Sequence, residues 1–201
     1  RNILVSDVAG RSALAEKLAK IDGGLARDSE KLADFAQNIK QLEYEGFQFE
    51  SAAASMEIRA LKYFGGYRPF FTLCHFKTIG EQPAPDTDRS AAAVVKIKVG
   101  DRYEITAEEG DGPVHALDKA LKKALSVFYP EVGDIKLVDY KVRVIDSGKG
   151  AAAMVRVLIE STDGEAVWTT VGASTDIIDA SWQALVDSIE YKLLKENGIL
   201  Q

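Results

Sequence analysis

The chain reads as an α+β protein, in which a small all-helical part precedes a pseudo-twofold domain made of two β-β-β-α units. Three observations predict this. Ala91-Ala-Ala-Val-Val-Lys-Ile-Lys-Val99 returns as Ala151-Ala-Ala-Met-Val-Arg-Val-Leu-Ile159, an offset of 60. Apolar residues recur at helical spacing as far as Phe64, and from Arg68 the period drops to two. Tyr103-Glu-Ile-Thr-Ala107 then matches Val167-Trp-Thr-Thr-Val171, and Pro113 to Leu121 matches Ile177 to Leu185, both at an offset of 64. The growth from 60 to 64 predicts a longer hairpin turn in the second copy. Two copies alone, each longer than a usual solenoid repeat, predict a domain closed on itself with a seam between its halves.

Leu14, Leu18 and Ile21 share one helical face; Leu32, Phe35, Ile39 and Leu42 share a second; Ala54, Ile58 and Leu61 share a third. Three helices are therefore expected. Asp28 and Ser29 can cap the second, while Gly23-Gly24 and Gly65-Gly66 stop the first and third, because glycine enters the left-handed C′ conformation without a Cβ clash. Gly65-Gly66 also marks the expected boundary between a helical connector (1–65) and a second domain (66–201), whose units span about 68–130 and 135–197.

Beyond that boundary, Phe71, Leu73 and His75 alternate with Thr72, Cys74 and Phe76. Val95, Ile97 and Val99 alternate with Lys96 and Lys98, and Tyr103, Ile105 and Ala107 with Arg102, Glu104 and Thr106. These are three strands, the last two joined at Gly100-Asp101; Glu81 to Ser90, with Pro83 and Pro85, is a longer loop. A helix follows with Val114, Leu117, Leu121, Leu125 and Phe128 on one stripe. The second copy repeats the course through Tyr140–Val144, Val155–Ile159 and Val167–Val171 to a helix bearing Ile178, Trp182, Leu185 and Ile189.

With 201 residues, 46% of them hydrophobic and 28% charged, the chain can bury a core. Its formal net charge of -6 opposes a general role on nucleic acid or an anionic membrane, which needs a basic face. Lys122-Lys123 reads as a solvated helix face. One cysteine, Cys74, excludes an internal disulfide and suits a reducing compartment. No apolar run reaches bilayer length and no signal peptide is visible, so a cytoplasmic location is expected. Arg1 and the run after it read as mid-course, which predicts that these residues are a piece of a longer protein whose remainder lies upstream.

Few residues suggest chemistry. His75 and His115 stand apart with no partner at metal-ligand spacing. Cys74 has no adjacent base and reads as a small buried hydrophobe. Glu108, Glu109 and Asp111 form a charge cluster at a strand end, which is ordinarily solvated. The run Gly110-Asp-Gly-Pro113 opens a helix, where orphan N–H groups attract an anion; a plain turn with proline at the first helical position is the reading these residues by themselves favour. Gly172-Ala-Ser-Thr-Asp176 enters the second helix, with Ser174, Thr175 or Asp176 as N-cap. If pseudo-symmetry brings the two helix starts together, one can take a carboxylate while a nearby acidic or carbonyl group takes an ammonium. Val114, Tyr140 and Val144 would supply the apolar wall of such an amino-acid pocket, or else fill the core.

Five runs in order, Arg1 to Ser12, Tyr44-Glu-Gly-Phe-Gln-Phe-Glu50, Glu109-Gly-Asp-Gly-Pro-Val114, Asp139-Tyr-Lys-Val-Arg-Val144 and Ala180 to Tyr191, resemble the C-terminal part of citramalate synthase, in the wider 2-isopropylmalate and homocitrate synthase family. The resemblance implies a parent acyltransferase whose TIM barrel condenses acetyl-CoA with pyruvate, assisted by a divalent metal. Neither that barrel nor its histidine pair has a counterpart here, so no catalytic residue, metal ligand or cofactor is expected and the fragment alone should be inactive. It implies a helical connector and a regulatory domain that forms a homodimer and binds a branched-chain amino acid, isoleucine or leucine, as feedback inhibitor. Matching by motif places effector contacts on Gly110, Gly112, Val114, His115, Tyr140, Val144, Thr175, Asp176 and Ile177. Asp111 stands where the family commonly has asparagine, and His115 is a second departure. A leucine-sensing 2-isopropylmalate synthase and a purely structural dimerisation module are the alternatives.

Overall fold

A computed structural model describes residues 19, 29–80, 91–145 and 153–200. The expected first helix, Gly23-Gly24, Asp28, the Glu81–Ser90 loop, the resembling run at 1–12 and Ala151-Ala152 lie outside the described residues. Helix α1 (Ser29–Tyr44) buries Leu32, Phe35 and Ile39, three of the four residues of its expected stripe. Helix α2 (Ala53–Phe64) buries Ala54, Ile58 and Leu61 and ends where expected: Gly65 takes φ 91°, and the N–H groups of Gly65 and Gly66 both reach the Leu61 carbonyl.

Strands β1 (Thr72–Gly80), β2 (Ala91–Val99) and β3 (Arg102–Gly110) form one antiparallel sheet in sequence order, followed by α3 (Pro113–Ser126). Strands β4 (Lys136–Val144), β5 (Val155–Thr162) and β6 (Val167–Ser174) form the second, followed by α4 (Ile177–Glu196). The duplication is therefore real, but its register differs from the sequence match. Gly80 faces Ala91 and Ala91 faces Gly110 in the first sheet; Val144 faces Val155 and Val155 faces Ser174 in the second. Val155, not Ala151, is the counterpart of Ala91, and the offset is 64 throughout. The expected longer hairpin turn is present all the same: Thr162 pairs with Val167 across Asp163 to Ala166, where Val99 pairs with Arg102 across Gly100-Asp101 alone, and each turn holds a left-handed glycine, φ 57° at Gly100 and 93° at Gly164. A slip of four residues is even, so it leaves the same side chains facing inward. Only backbone pairing distinguishes the two alignments.

Strict alternation fails in β1. The register slips between Leu73 and His75, so Cys74 is the extra residue of a bulge. His75 consequently turns outward and Phe76 inward, against the expected faces, and Cys74 is exposed rather than buried. The second copy has the matching slip between Leu137 and Asp139, at Val138. In β3, Tyr103 and Ile105 are 58% and 59% exposed because the inward row is Glu104, Thr106 and Glu108. The Thr106 hydroxyl donates to the Ala120 carbonyl of α3 at 2.7 Å, and its counterpart Thr170 donates to Ala184 of α4 at 2.7 Å. Each sheet is thus pinned to its helix by the same bond.

The buried residues of the two units make one continuous core. Val95, Ile97, Leu117, Leu121 and Leu125 of the first join Val157, Ile159, Trp168, Leu185 and Ile189 of the second. Phe76 crosses between units to stack on Trp182, ring centroids 5.0 Å apart. Fully burying each such side chain contributes about 1.5–3 kcal/mol, so neither half is stable without the other's surface. A second core lies on the opposite face of β6, where Val171 and Ala173 meet Leu32, Phe35, Ile39 and Met56 of the helical part.

Close approach of helix and sheet explains two glycines. A Cβ on Gly172 would sit 1.9 Å from the Ala180 carbonyl oxygen, and one on Gly110 2.5 Å from the Ala116 nitrogen, whereas one on Gly112 meets nothing within 4 Å. Gly172→Ala should therefore lower unfolding stability by about 3 kcal/mol in urea denaturation, and Gly112→Ala should change it little. Equal effects at the two positions would contradict this packing.

Candidate functional site

The nine expected site residues fall into two groups, one at each helix start. Gly110, Gly112, Val114 and His115 surround the first turn of α3. Gly112 is its N-cap, with extended backbone (φ −162°, ψ 170°) and no side-chain cap, and Pro113 follows. Proline has no N–H, so Val114 and His115 carry the first orphan donors of the helix. His115 Nδ1 accepts the Asp111 N–H at 3.2 Å and lies 3.2 Å from Asp111 Oδ2. The Asp111 carboxylate itself is almost fully exposed. Val114 is half-buried against the core.

Tyr140, Asp176 and Ile177 gather at the start of α4. The Tyr140 hydroxyl shares a 2.9 Å hydrogen bond with Ser181, whose hydroxyl donates to the Ile177 carbonyl at 2.6 Å. Of the three candidate caps the fold selects Asp176, which accepts the Ile178 N–H at 2.8 Å, while Ser174 accepts the Asp176 N–H at 3.1 Å. Thr175 is exposed, Ile177 is 42% exposed, and Val144 ends β4 at 57% exposure. Among the described residues no hydrogen bond or ion pair joins the α3 group to the α4 group. The two starts also differ chemically: α4 carries its own carboxylate cap and α3 has none.

The charge cluster after β3 is engaged rather than free. Glu108 meets Lys123 at 2.5 Å and Lys119 at 3.5 Å, and the Lys123 contact above all holds its carboxyl below the ordinary range. Lys122 is paired with Asp118 at 2.8 Å and largely covered, so the expected solvated face is only half right. No group of three or more His, Cys, Asp or Glu that could hold a metal exists among the described residues, and no described helix is long and apolar enough to cross a membrane.

Sequence reasoning missed a polar seam between α2 and α4. Ser55 donates to Asp187 at 2.7 Å and accepts the Val171 N–H of edge strand β6 at 3.0 Å. Glu190 receives Lys62 at 3.1 Å and the Tyr67 hydroxyl. Arg59 lies over the Phe47 ring and acts on Asp187 through its charge. Ser55, Asp187 and Glu190 are all buried. The signal was present as Ser55, Arg59 and Lys62 at helical spacing, facing Asp187 and Glu190 three apart, but each set reads alone as a solvated face. Burial raises the Asp187 carboxyl to about 6; Arg59, Ser55 and Lys62 oppose that rise and Glu190 adds to it.

A β-β-β-α pair that shares one core and is bolted to a helical segment defines a duplicated α+β domain with a helical segment attached to its second unit. The chain belongs to the LeuA allosteric (dimerisation) domain family, whose sequence profile matches residues 50–193. It is 46% identical to (R)-citramalate synthase of Geobacter sulfurreducens over 98% of this chain and 37% of that protein. Identity to (R)-citramalate synthase of Aquifex aeolicus is 45%, over 100% of the chain and 38% of the relative. A 2-isopropylmalate synthase of Pseudoalteromonas atlantica is 26% identical over 92% of the chain and 33% of its own length. The chain thus spans well under half the length of these relatives.

The raised Asp187 value has a defined consequence for stability. Below about pH 4 the group is protonated whether the chain is folded or not; between 4 and 6 only the unfolded chain ionises, so stability falls as pH rises and the loss is complete above 6. Asp187→Asn removes this dependence. Its stability relative to the parent chain should rise by roughly 3 kcal/mol between pH 4 and pH 7 in urea denaturation, and a flat difference would show that Asp187 is ionised at no unusual cost.

Proposed function

We propose that this chain is the regulatory and dimerisation portion of a citramalate synthase, an acyltransferase that joins acetyl-CoA to pyruvate in the cytoplasm, and that it binds a branched-chain amino acid as feedback inhibitor. The observation that carries the amino-acid reading is the contrast between the helix starts. The N–H groups of Val114 and His115 can take a carboxylate in front of the uncapped Gly112, while α4 presents the Asp176 carboxylate, suited to an ammonium. Val114, Tyr140, Val144 and Ile177 supply apolar surface for the side chain. Identity to (R)-citramalate synthases along the whole of this chain favours isoleucine over leucine as ligand, and the dimerisation-domain family a homodimer as assembly. The divalent metal of catalysis belongs to the rest of the parent protein.

Regulation then has a route. In this reading residues 1–65 are the connector, and α4 runs from the effector end at Asp176 to the seam at Asp187 and Glu190, which grips α2. An effector that prefers one placement of α4 biases the connector by its difference in affinity for the two placements.

A thermal-shift titration with isoleucine, leucine and valine tests the proposal, since a ligand at a hundred times its Kd adds about 2.7 kcal/mol. Isoleucine should give the largest shift. Gly112→Val, in open space, should fold normally and lose the shift, because its side chain would stand before the Val114 and His115 donors. A dominant leucine response would indicate a leucine-sensing synthase, and no response to any of the three a purely structural dimerisation module.

A further inference from the structure

The outer face of the second sheet holds a cleft of about 320 Å³, roofed in part by Gln48 and Ser51 from the turn between α1 and α2. Its charges are sorted along the strands. Asp139 of β4 stands directly opposite Glu160 of β5, and four residues further on Arg143 stands directly opposite Arg156. Like charges in direct opposition are destabilising, and exchanging residues 156 and 160 would turn both oppositions into ion pairs.

Two of the four charges are absorbed by the fold. Asp139 pairs with Lys141 and accepts the Tyr140 N–H at 2.9 Å. Arg156 holds the connector turn, donating to the Gly46 carbonyl at 2.5 Å and to Gln48 Oε1 at 2.7 Å. Among the described residues, Arg143 and Glu160 make no hydrogen bond or ion pair; both line the cleft together with Lys141, whose charge Glu160 attracts and Arg143 repels. The repulsion is felt: burial first, and then the Arg143 charge, weaken the hold of Arg156 on its proton. Because Gln48 Oε1 is committed to Arg156, its amide N–H groups are the donors left for the cleft.

We propose that this cleft binds a small extended zwitterion, its carboxylate on Arg143 and its ammonium on Glu160. The guanidinium fork donates two parallel hydrogen bonds to a carboxylate. Four residues of strand separate the two ends by about 13 Å at the backbone, a gap that side chains leaning inward shorten. That span suits an ω-amino acid. An α-amino acid, whose two charged groups are borne on one carbon, cannot reach both, so this site is distinct in chemistry from the helix-start pocket proposed above.

The chain should be titrated with glycine, 4-aminobutanoate, 6-aminohexanoate, 8-aminooctanoate, acetate and butylamine while amide NMR shifts are followed. Affinity should rise with the separation of the charges, with the six- and eight-carbon compounds shifting residues around Arg143 and Glu160 and acetate, butylamine and glycine failing to. Arg143→Gln and Glu160→Gln should each weaken binding at least tenfold without lowering Tm, since each removes one member of a like-charge opposition. Equal affinity for acetate and 6-aminohexanoate, unchanged affinity in Arg143→Gln, or no binding to the parent chain would overturn the proposal. Gly112→Val should retain this binding, which separates its failure from failure of the branched-chain effector site.

Discussion

A three-stranded sheet carrying one helix cannot bury enough apolar surface to stand alone, and the rest of this molecule depends on the way two such units share a single core. The inward rows of β2 and β5 and the stripes of α3 and α4 belong to one cluster. That sharing demands close helix–sheet approach, which is why Gly172 meets the Ala180 carbonyl and why Thr106 and Thr170 carry their hydroxyls to matched helix carbonyls. Any shift of α4 is therefore a shift against both sheets at once, through Thr170 on its own sheet and through the Phe76–Trp182 stack on the other. A packed core of this kind moves between discrete arrangements rather than deforming smoothly.

The two units are not equivalent in what covers their outer faces. The second sheet receives α1 and α2 on Val171 and Ala173, with Ser55 satisfying the edge N–H of Val171. The first sheet leaves Tyr103, Ile105 and Ile79 exposed on its outer face, with Lys96 and Lys98 over the Tyr103 ring. This one-sided coverage ties the helical part to the second unit alone. The α2–α4 seam fixes how it sits there. Burying Asp187 and Glu190 costs desolvation that Arg59, Lys62 and Tyr67 return only when the two helices sit in one register.

The helix starts show how symmetry at the level of fold becomes asymmetry at the level of chemistry. Related positions 64 residues apart open both helices, yet Gly112 leaves one set of N–H groups available where Asp176 fills the other. One end can receive an anion and the other presents one.

Much of this was legible in the chain itself. Periods of 3.6 and two marked the elements, Gly65 and Gly100 marked turns that need left-handed backbone, and the near-repeat announced the duplication, because local spacing is set by the geometry of a single helix or strand. The register of the repeat, the bulges at Cys74 and Val138 and the inward row of β3 were not legible. Each depends on which backbone groups pair across strands, and even slips leave the alternation intact. The cap on α4 had three candidates in sequence, and tertiary packing chose Asp176. The seam and the sorted charges of the cleft were invisible for a related reason: Ser55 and Asp187, or Asp139 and Glu160, become neighbours only through long-range folding. The sequence by itself determined two β-β-β-α units behind a helical segment. Only the tertiary structure decided which charges face one another, because electrostatic partnership is a property of distance in space and not of spacing along the chain.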